Sequence, residues 1–254
     1  MAEQRNLGDN APITEAVLDF RCQTGVTMDS AFIRKLGAEI GYKGELQEMR
    51  DMSLSFSLQQ KADAPAAHRT SSQIAGGRFF SEDRKFVVQM RHDGMTFSRL
   101  PPYTKWEQVF QEAKRLWLIF CAHMQPSVIS RIAVRNVNRL LLPQPYFSNA
   151  PADFLNPPPA EPGGLRKESI ITQWMHRFVI SEVEKDVSAV VMQLSDSAVD
   201  PKGRYALIFD IDVFTMVDLS TDPESLLPRF EQLRECKNRI FFSNLTERTL
   251  DLFK

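Results

Sequence analysis

The chain is expected to fold in the α+β class, as antiparallel sheets each packed by a long amphipathic helix and arranged as two pseudo-equivalent halves. Three observations lead there. Short β-prone runs bounded by turn residues recur along the chain, and two long stretches, after residues 105 and 222, repeat apolar residues at helical spacing. In both parts the strands come first and the helix follows, the order that separates α+β folds from alternating α/β ones. No residue-level repeat accompanies this order, so the halves rest on the sequence of elements alone. At 254 residues, 43% hydrophobic and 25% charged, the chain can bury a substantial core as one large domain or two packed halves.

The elements follow in order. Residues 11–22 read as a strand entered through Pro12, since Val17, Leu18 and Phe20 suit a pleated surface. Asp29 or Ser30 caps a short helix carrying Phe32, Ile33, Leu36 and Ile40, and Gly41 ends it. Residues 52–58 alternate strictly between polar and apolar, as a half-buried strand does. Residues 59–77 are polar, rich in Ala and Ser and broken by Pro65, which predicts a long loop ending in a Gly76-Gly77 turn. Strands at 78–81, 86–91 and 95–100 form a meander, with Asp93-Gly94 as a hairpin turn.

Pro101-Pro102 stops that sheet, and Thr104 with Glu107 forms a capping box for a helix whose stripe runs from Trp106 to Met124. A strand at 129–142 follows Pro126. Residues 143–164 hold seven of the fifteen prolines and predict an extended connection. Strands at 171–183, 189–194 and 205–214 come next. Asp222-Pro223 then opens a second long helix with Leu226, Leu227, Phe230, Leu233, Ile240 and Phe241 on its apolar face, and Thr246 caps a final short turn. The organisation is therefore an N-terminal unit at 1–142, a proline-rich connection at 143–164 and a C-terminal unit at 165–254, the two units packed as one body.

Charge gives little direction. The net charge is −1, so no overall field draws the chain to nucleic acid or an anionic membrane. Residues 1–142 carry 19 Lys and Arg against 15 Asp and Glu, and residues 143–254 carry 12 against 17; the halves differ in sign and could attract one another or a second subunit. Cys22, Cys121 and Cys236 are odd in number and far apart, which argues against a disulfide framework or a zinc site. With no apolar leader at the N-terminus and no run of about 18 apolar residues, the expectation is a cytoplasmic protein without membrane association.

The candidate functional residues lie in two strands. In the strand at 129–142, Arg131, Arg135 and Arg139 share one face and Asn136 and Asn138 the other. In the strand at 205–214, Asp210 and Asp212 share a face between Phe209, Ile211 and Val213. Mutual pairing of these arginines and aspartates is the leading expectation, and Arg131, Arg135, Asn138, Arg139, Asp210 and Asp212 are the candidate binding residues. Two other uses exist for them. Arginines four apart on a strand stand about 13 Å from each other and could grip a polyanion, with Arg78, Arg84, Lys85, Arg91 and Arg99 extending the patch. Asp210 and Asp212, with Glu182 or Glu184, could instead hold a divalent metal through oxygen ligands. No HExxH, EF-hand, GxSxG, P-loop or dinucleotide motif is present, and His68, His92, His123 and His176 are isolated. No catalytic residue, metal or cofactor is assigned.

Several segments carry a resemblance: residues 10–16 (NAPITEA), 77–81 (GRFFS), 100–103 (LPPY) leading to Trp106-Glu107, 131–139 (RIAVRNVNR), 210–214 (DIDVF), and the closing 233–238 and 241–243. Together they resemble a sporadically distributed family of uncharacterised bacterial proteins of about this length. Asn136 stands where that family's pattern has an aromatic residue. The resemblance implies the architecture and brings no activity, cofactor or catalytic residue with it.

The functional expectation is a non-enzymatic binding protein or adaptor, chaperone-like or of an antitoxin or defence-associated kind, that engages a protein partner. Met49, Met52, Met90, Met95 and Met124 would lend it an adaptable apolar surface if exposed. A homodimer is compatible with this reading and nucleic acid is disfavoured. The alternative is a metal-dependent nuclease or phosphohydrolase built on Asp210 and Asp212.

Overall fold

The computed structural model describes residues 7, 10–56, 68–103, 105–143, 151–158, 163–166, 171, 173–182, 185–199 and 203–253. Among the described residues nine strands form one antiparallel sheet: β1 (Ile13–Cys22), β2 (Leu46–Phe56), β3 (His68–Phe80), β4 (Phe86–Arg91), β5 (Gly94–Arg99), β6 (Ile129–Leu142), β7 (Met175–Glu182), β8 (Val187–Val199) and β9 (Tyr205–Thr215). Their spatial order is β2-β3-β4-β5-β1-β6-β9-β8-β7. Four α-helices accompany them among the described residues: α1 (Ser30–Ile40), α2 (Trp106–Met124), α3 (Pro223–Ser243) and α4 (Glu247–Asp251). The class is thus α+β and antiparallel.

The helices share one face of the sheet. Trp117 of α2 stacks on Phe20 of β1 at 4.6 Å, Phe230 of α3 tilts against the same ring at 5.1 Å, and Phe241 stacks on Phe209 of β9. Alternation along each strand sends Leu18, Phe20, Met95, Phe97, Ile132, Val134, Phe209 and Ile211 into this layer, where all are buried. Met90, Met95 and Met124 are fully buried too. They fill the core and offer no adaptable surface.

Local chemistry sets the helix ends. Asp29 accepts from the Phe32 amide at 2.7 Å, and Gly41, at φ 75°, closes α1 through its N–H to Gly37 O. Asp222 caps α3 with Pro223 in the first turn, and Thr246 caps α4. Lys105 occupies the cap position of α2 without a side-chain bond, while Thr104, the expected cap, lies outside the described residues.

Three sequence expectations change. Residues 68–77 are not loop: they begin β3, which pairs with β2 and β4, while 57–67 lie outside the described residues. Gly76 and Gly77 are strand residues required by close approach. A Cβ on Gly76 would stand 2.2 Å from Met90 O, and one on Gly77 2.7 Å from Ile33 Cγ2 of α1. Small residues that read as a flexible turn are here a packing demand. The second change is that β2 starts at Leu46, ahead of the alternating run. Third, the proline-rich connection is pinned to the core: Phe154 and Leu155 are buried, Leu155 bridges to Leu245, and Asn156 N donates to Asn244 O at 3.0 Å.

The helix α3 carries a buried charged residue into the core. Successive inward turns of α3 bring Leu226, Phe230, Leu233, Lys237 and Phe241 against the sheet. With its amide turned so that both ends are satisfied, Asn136 accepts from Lys237 Nζ at 2.9 Å through its oxygen and donates to Arg135 O through its nitrogen. Burial, followed by the repulsion of Arg234, pushes the Lys237 ammonium down to about 7. Among the described residues no helix is long and apolar enough to cross a membrane.

Lys237 makes stability pH-dependent. An unfolded lysine keeps its proton to about pH 10.4, whereas the folded one releases it near 7, so between these values the unfolded state binds more protons and stability rises with pH. Below 7 the folded protein carries the full penalty of a buried charge. Lys237→Met removes this term: urea unfolding across pH 7–10 is expected to show a slope lower than wild type by about 1.4 kcal/mol per pH unit. Equal slopes would refute the assignment.

Candidate functional site

On the sheet face opposite the helices, the central strands carry a ladder of charges. Register fixes it. Thr96 of β5, Asp19 of β1, Ala133 of β6 and Phe214 of β9 stand side by side across four strands, and the next row holds Ser98, Val17, Arg135 and Asp212. Ala133 is the small residue of its row. It leaves room for the Arg131 side chain to run along β6, and the guanidinium lies 4.6 Å from the centre of the Phe214 ring.

From there Arg131 clamps two strands at once. Its Nη1 donates to Asp19 Oδ2 at 2.8 Å and its Nη2 to Asp212 Oδ2 at 2.9 Å. Arg135 reaches diagonally past the opposing Asp212 to Asp210, donating from Nε at 2.8 Å and Nη2 at 2.6 Å, a bidentate fork. Asp19 also accepts from Arg21 Nε at 3.0 Å and Thr96 Oγ1 at 2.6 Å. Arg21 and Arg91 then converge on Asp93 in the β4–β5 turn.

Four guanidinium groups thus face four carboxylates, and the ladder neutralises itself. The bond to Asp210 holds the Arg135 guanidinium above its ordinary range against the effect of burial. Burial pushes the Asp212 carboxyl up, with Arg131 and Arg135 pulling the other way. For Arg21, burial is the largest influence and lowers it, yet Asp19 and Asp93 together bring the net shift upward.

The predicted residues therefore divide. Arg131, Arg135, Asp210 and Asp212 come together on one face. Asn138 does not join them: it lies on the helix side, buried, with its Nδ2 donating to Phe209 O at 2.8 Å and Asn136 O at 3.3 Å. Its amide satisfies backbone carbonyls inside the core, a structural task. Arg139 shares the arginine face, one row beyond Val137. Glu182 lies apart from both aspartates, paired with Arg239 of α3 and Lys185, and Glu184 lies outside the described residues. Among the described residues no three His, Cys, Asp or Glu side chains form a metal-binding group.

Sequence reasoning missed Asp19, Arg21 and Ala133. Asp19 was visible as an acidic residue between Leu18 and Phe20, a polar site in an apolar strand. Only the pairing of β1 with β6 says that it serves Arg131.

Among the described residues three arginines keep a buried side-chain nitrogen without a hydrogen bond. Arg99 points to the helix side with its guanidinium 4.6 Å from the Phe86 ring centre and Nε without a partner, and Arg78 Nε and Arg91 Nη2 are also unbonded. They are spread over three strands and both faces, so they do not extend the Arg131–Arg135 row into one anion-binding patch.

The fold and ladder define a two-layer α+β protein with an ion-paired outer sheet face. No known family model matches the chain, and no curated protein matches its sequence.

The ladder predicts an order of stability losses. Arg131→Met strips charge-assisted bonds from Asp19 and Asp212 and is expected to cost about 2–4 kcal/mol. Arg135→Met is expected to cost about 1–2 kcal/mol, because the half-exposed Arg135 site lets water take its place. Urea unfolding at pH 7 measures both; equal or reversed losses would mean that Arg131 does not act as the clamp.

Proposed function

We propose that this chain is a non-enzymatic binding protein or adaptor, of a chaperone-like or antitoxin or defence-associated kind, that engages a protein partner. The reading includes membership of the sporadically distributed bacterial family whose motifs its sequence resembles, and a cytoplasmic setting. Its three described cysteines are free, with Cys22 and Cys236 buried, which suits a reducing compartment.

The observation that carries it is the edge strand β7. Met175, Phe178, Val179 and Ile180 are 60%, 51%, 64% and 42% exposed, and among the described residues nothing pairs with the outer edge of β7. An edge strand with unpaired backbone groups and apolar side chains on both faces is a template for another chain. Natural edges are usually blunted by lysine, proline or a bulge. The stretch Phe178-Val179-Ile180 has none of these.

The order of strands supports the idea of two pseudo-equivalent halves. In the sheet β3-β4-β5-β1 is matched by β7-β8-β9-β6: in each set the first strand in sequence pairs with the last, and a long helix, α2 or α3, follows. On this reading β6 opens the second half, and the boundary falls before residue 129. The two helices would each cover their own half.

The hydrolase alternative needs Asp210 and Asp212 as ligands, yet both already accept from guanidinium groups. A divalent ion would have to displace Arg131 and Arg135. Millimolar Mg²⁺ or Mn²⁺ is therefore expected to leave the melting temperature unchanged, since only an ion bound by the folded state raises it. A rise abolished by Asp210→Asn would favour the hydrolase.

For the binding reading, the tagged full chain is expressed in its host, crosslinked and recovered beside a Phe178→Asp, Ile180→Asp variant. At least one protein, which can be the untagged chain itself, is expected with wild type and not with the variant. Identical recoveries, or none from either, would overturn the assignment to β7.

A further inference from the structure

We propose that β7 joins two copies of this chain, the strands pairing antiparallel about a two-fold axis at Val179 so that the two nine-stranded sheets become continuous. This rests on the reading that β7 is a protein-binding edge, and it names the partner as a second copy.

The strand itself selects that partner. In an antiparallel pair, facing residues must turn their side chains to the same sheet face and their amides in the same sense. When both strands are β7, only registers centred on a residue meet this condition, so the choice is a short one.

Each register has a distinct outcome. Centring on Arg177 faces two guanidinium groups against each other, and like charges directly opposite are unfavourable. Centring on Phe178 opposes Val179 to Arg177 and Ile180 to His176. Centring on Ile180 sets Phe178 against the carboxylate of Glu182. Centring on Val179 alone matches the strand to itself. Val179 then faces Val179 of the partner subunit, Phe178 faces Ile180 of the partner subunit, Arg177 faces Ser181 of the partner subunit, and His176 faces Glu182 of the partner subunit.

The surroundings agree with this register. Phe178 and Ile180 lie on the helix side, opposite Val191 and Ala189 of β8, both buried. Pairing would extend that apolar row across the axis. Val179 lies on the outer face beside Val190. His176 is already held between the Trp174 and Phe178 rings at 5.1 and 6.1 Å, and Glu182 is anchored by Arg239. Both polar ends of the pairing are thus held by neighbours before association, which lowers the entropy lost on binding.

A residue on the axis meets its own copy, with Cα atoms about 4.5–5.5 Å apart, within disulfide reach. Met175→Cys, equally exposed and on the same face, would sit about 26 Å from its counterpart in this register. Under mild oxidation of the full chain, Val179→Cys is expected to give a disulfide-linked dimer, while Met175→Cys and wild type, which share the native cysteines, do not. Sedimentation of purified wild type over a micromolar series is expected to show a concentration-dependent dimer. Val179→Lys, which sets two ammonium groups face to face, is expected to remain monomeric.

Equal crosslinking at 175 and 179, or monomeric wild type throughout, would overturn the proposal. If wild type is monomeric while the Phe178→Asp, Ile180→Asp variant still loses a host protein, β7 binds a different chain: the pairing of copies falls and the binding reading stands.

Discussion

The structure depends on β6 being held between β1 and β9. That position joins strands more than sixty residues apart in sequence, makes one sheet out of two sets of strands, and places guanidinium groups beside carboxylates from both neighbours. Arg131 is the physical link, because its two terminal nitrogens serve Asp19 of β1 and Asp212 of β9. Without β6 between them, Asp210 and Asp212 would lose the guanidinium groups of Arg135 and Arg131, and Asp19 would keep only Arg21 of its own strand. With it, the ladder's charges are paired and β1, β6 and β9 are tied to one another by side chains as well as by backbone hydrogen bonds.

Small residues make this arrangement possible. Ala133 lets a long arginine lie flat along its own strand, and Gly76 and Gly77 let β3 approach β4 and α1 closely. Gly94 does the same at the β4–β5 turn, where φ is 143° and an added Cβ would stand 1.9 Å from Phe20 O. In each case the fold needs a missing side chain as much as a present one. The helix layer rests on the opposite principle, large rings in contact, with Phe20, Trp117, Phe110 and Phe230 meeting where β1, α2 and α3 converge.

The charged face is already satisfied by its own partners. An arginine bonded at 2.6–2.9 Å to carboxylates has little left for an external anion, and an aspartate so bonded is a poor metal ligand. The ladder is a stabilising device. The sheet's end carries the opposite character, exposed apolar side chains on a strand whose outer edge has no partner strand among the described residues, which is the usual basis of association by strand addition.

By itself the sequence determined what local forces control: the class of fold, the capped starts at Asp29, Asp222 and Thr246, the two long helices, the Asp93-Gly94 turn, and the presence of arginines and aspartates on single faces of two strands. These follow from periodicity and capping chemistry, which need only neighbouring residues. Tertiary structure decided which carboxylate meets which arginine, that Asn138 faces the core, that Lys237 is buried, that residues 68–77 form a strand and that β7 ends up at the edge. Each of these turns on the register between strands or on a close approach between elements, and pairing between separate stretches of chain leaves no periodic trace in either of them.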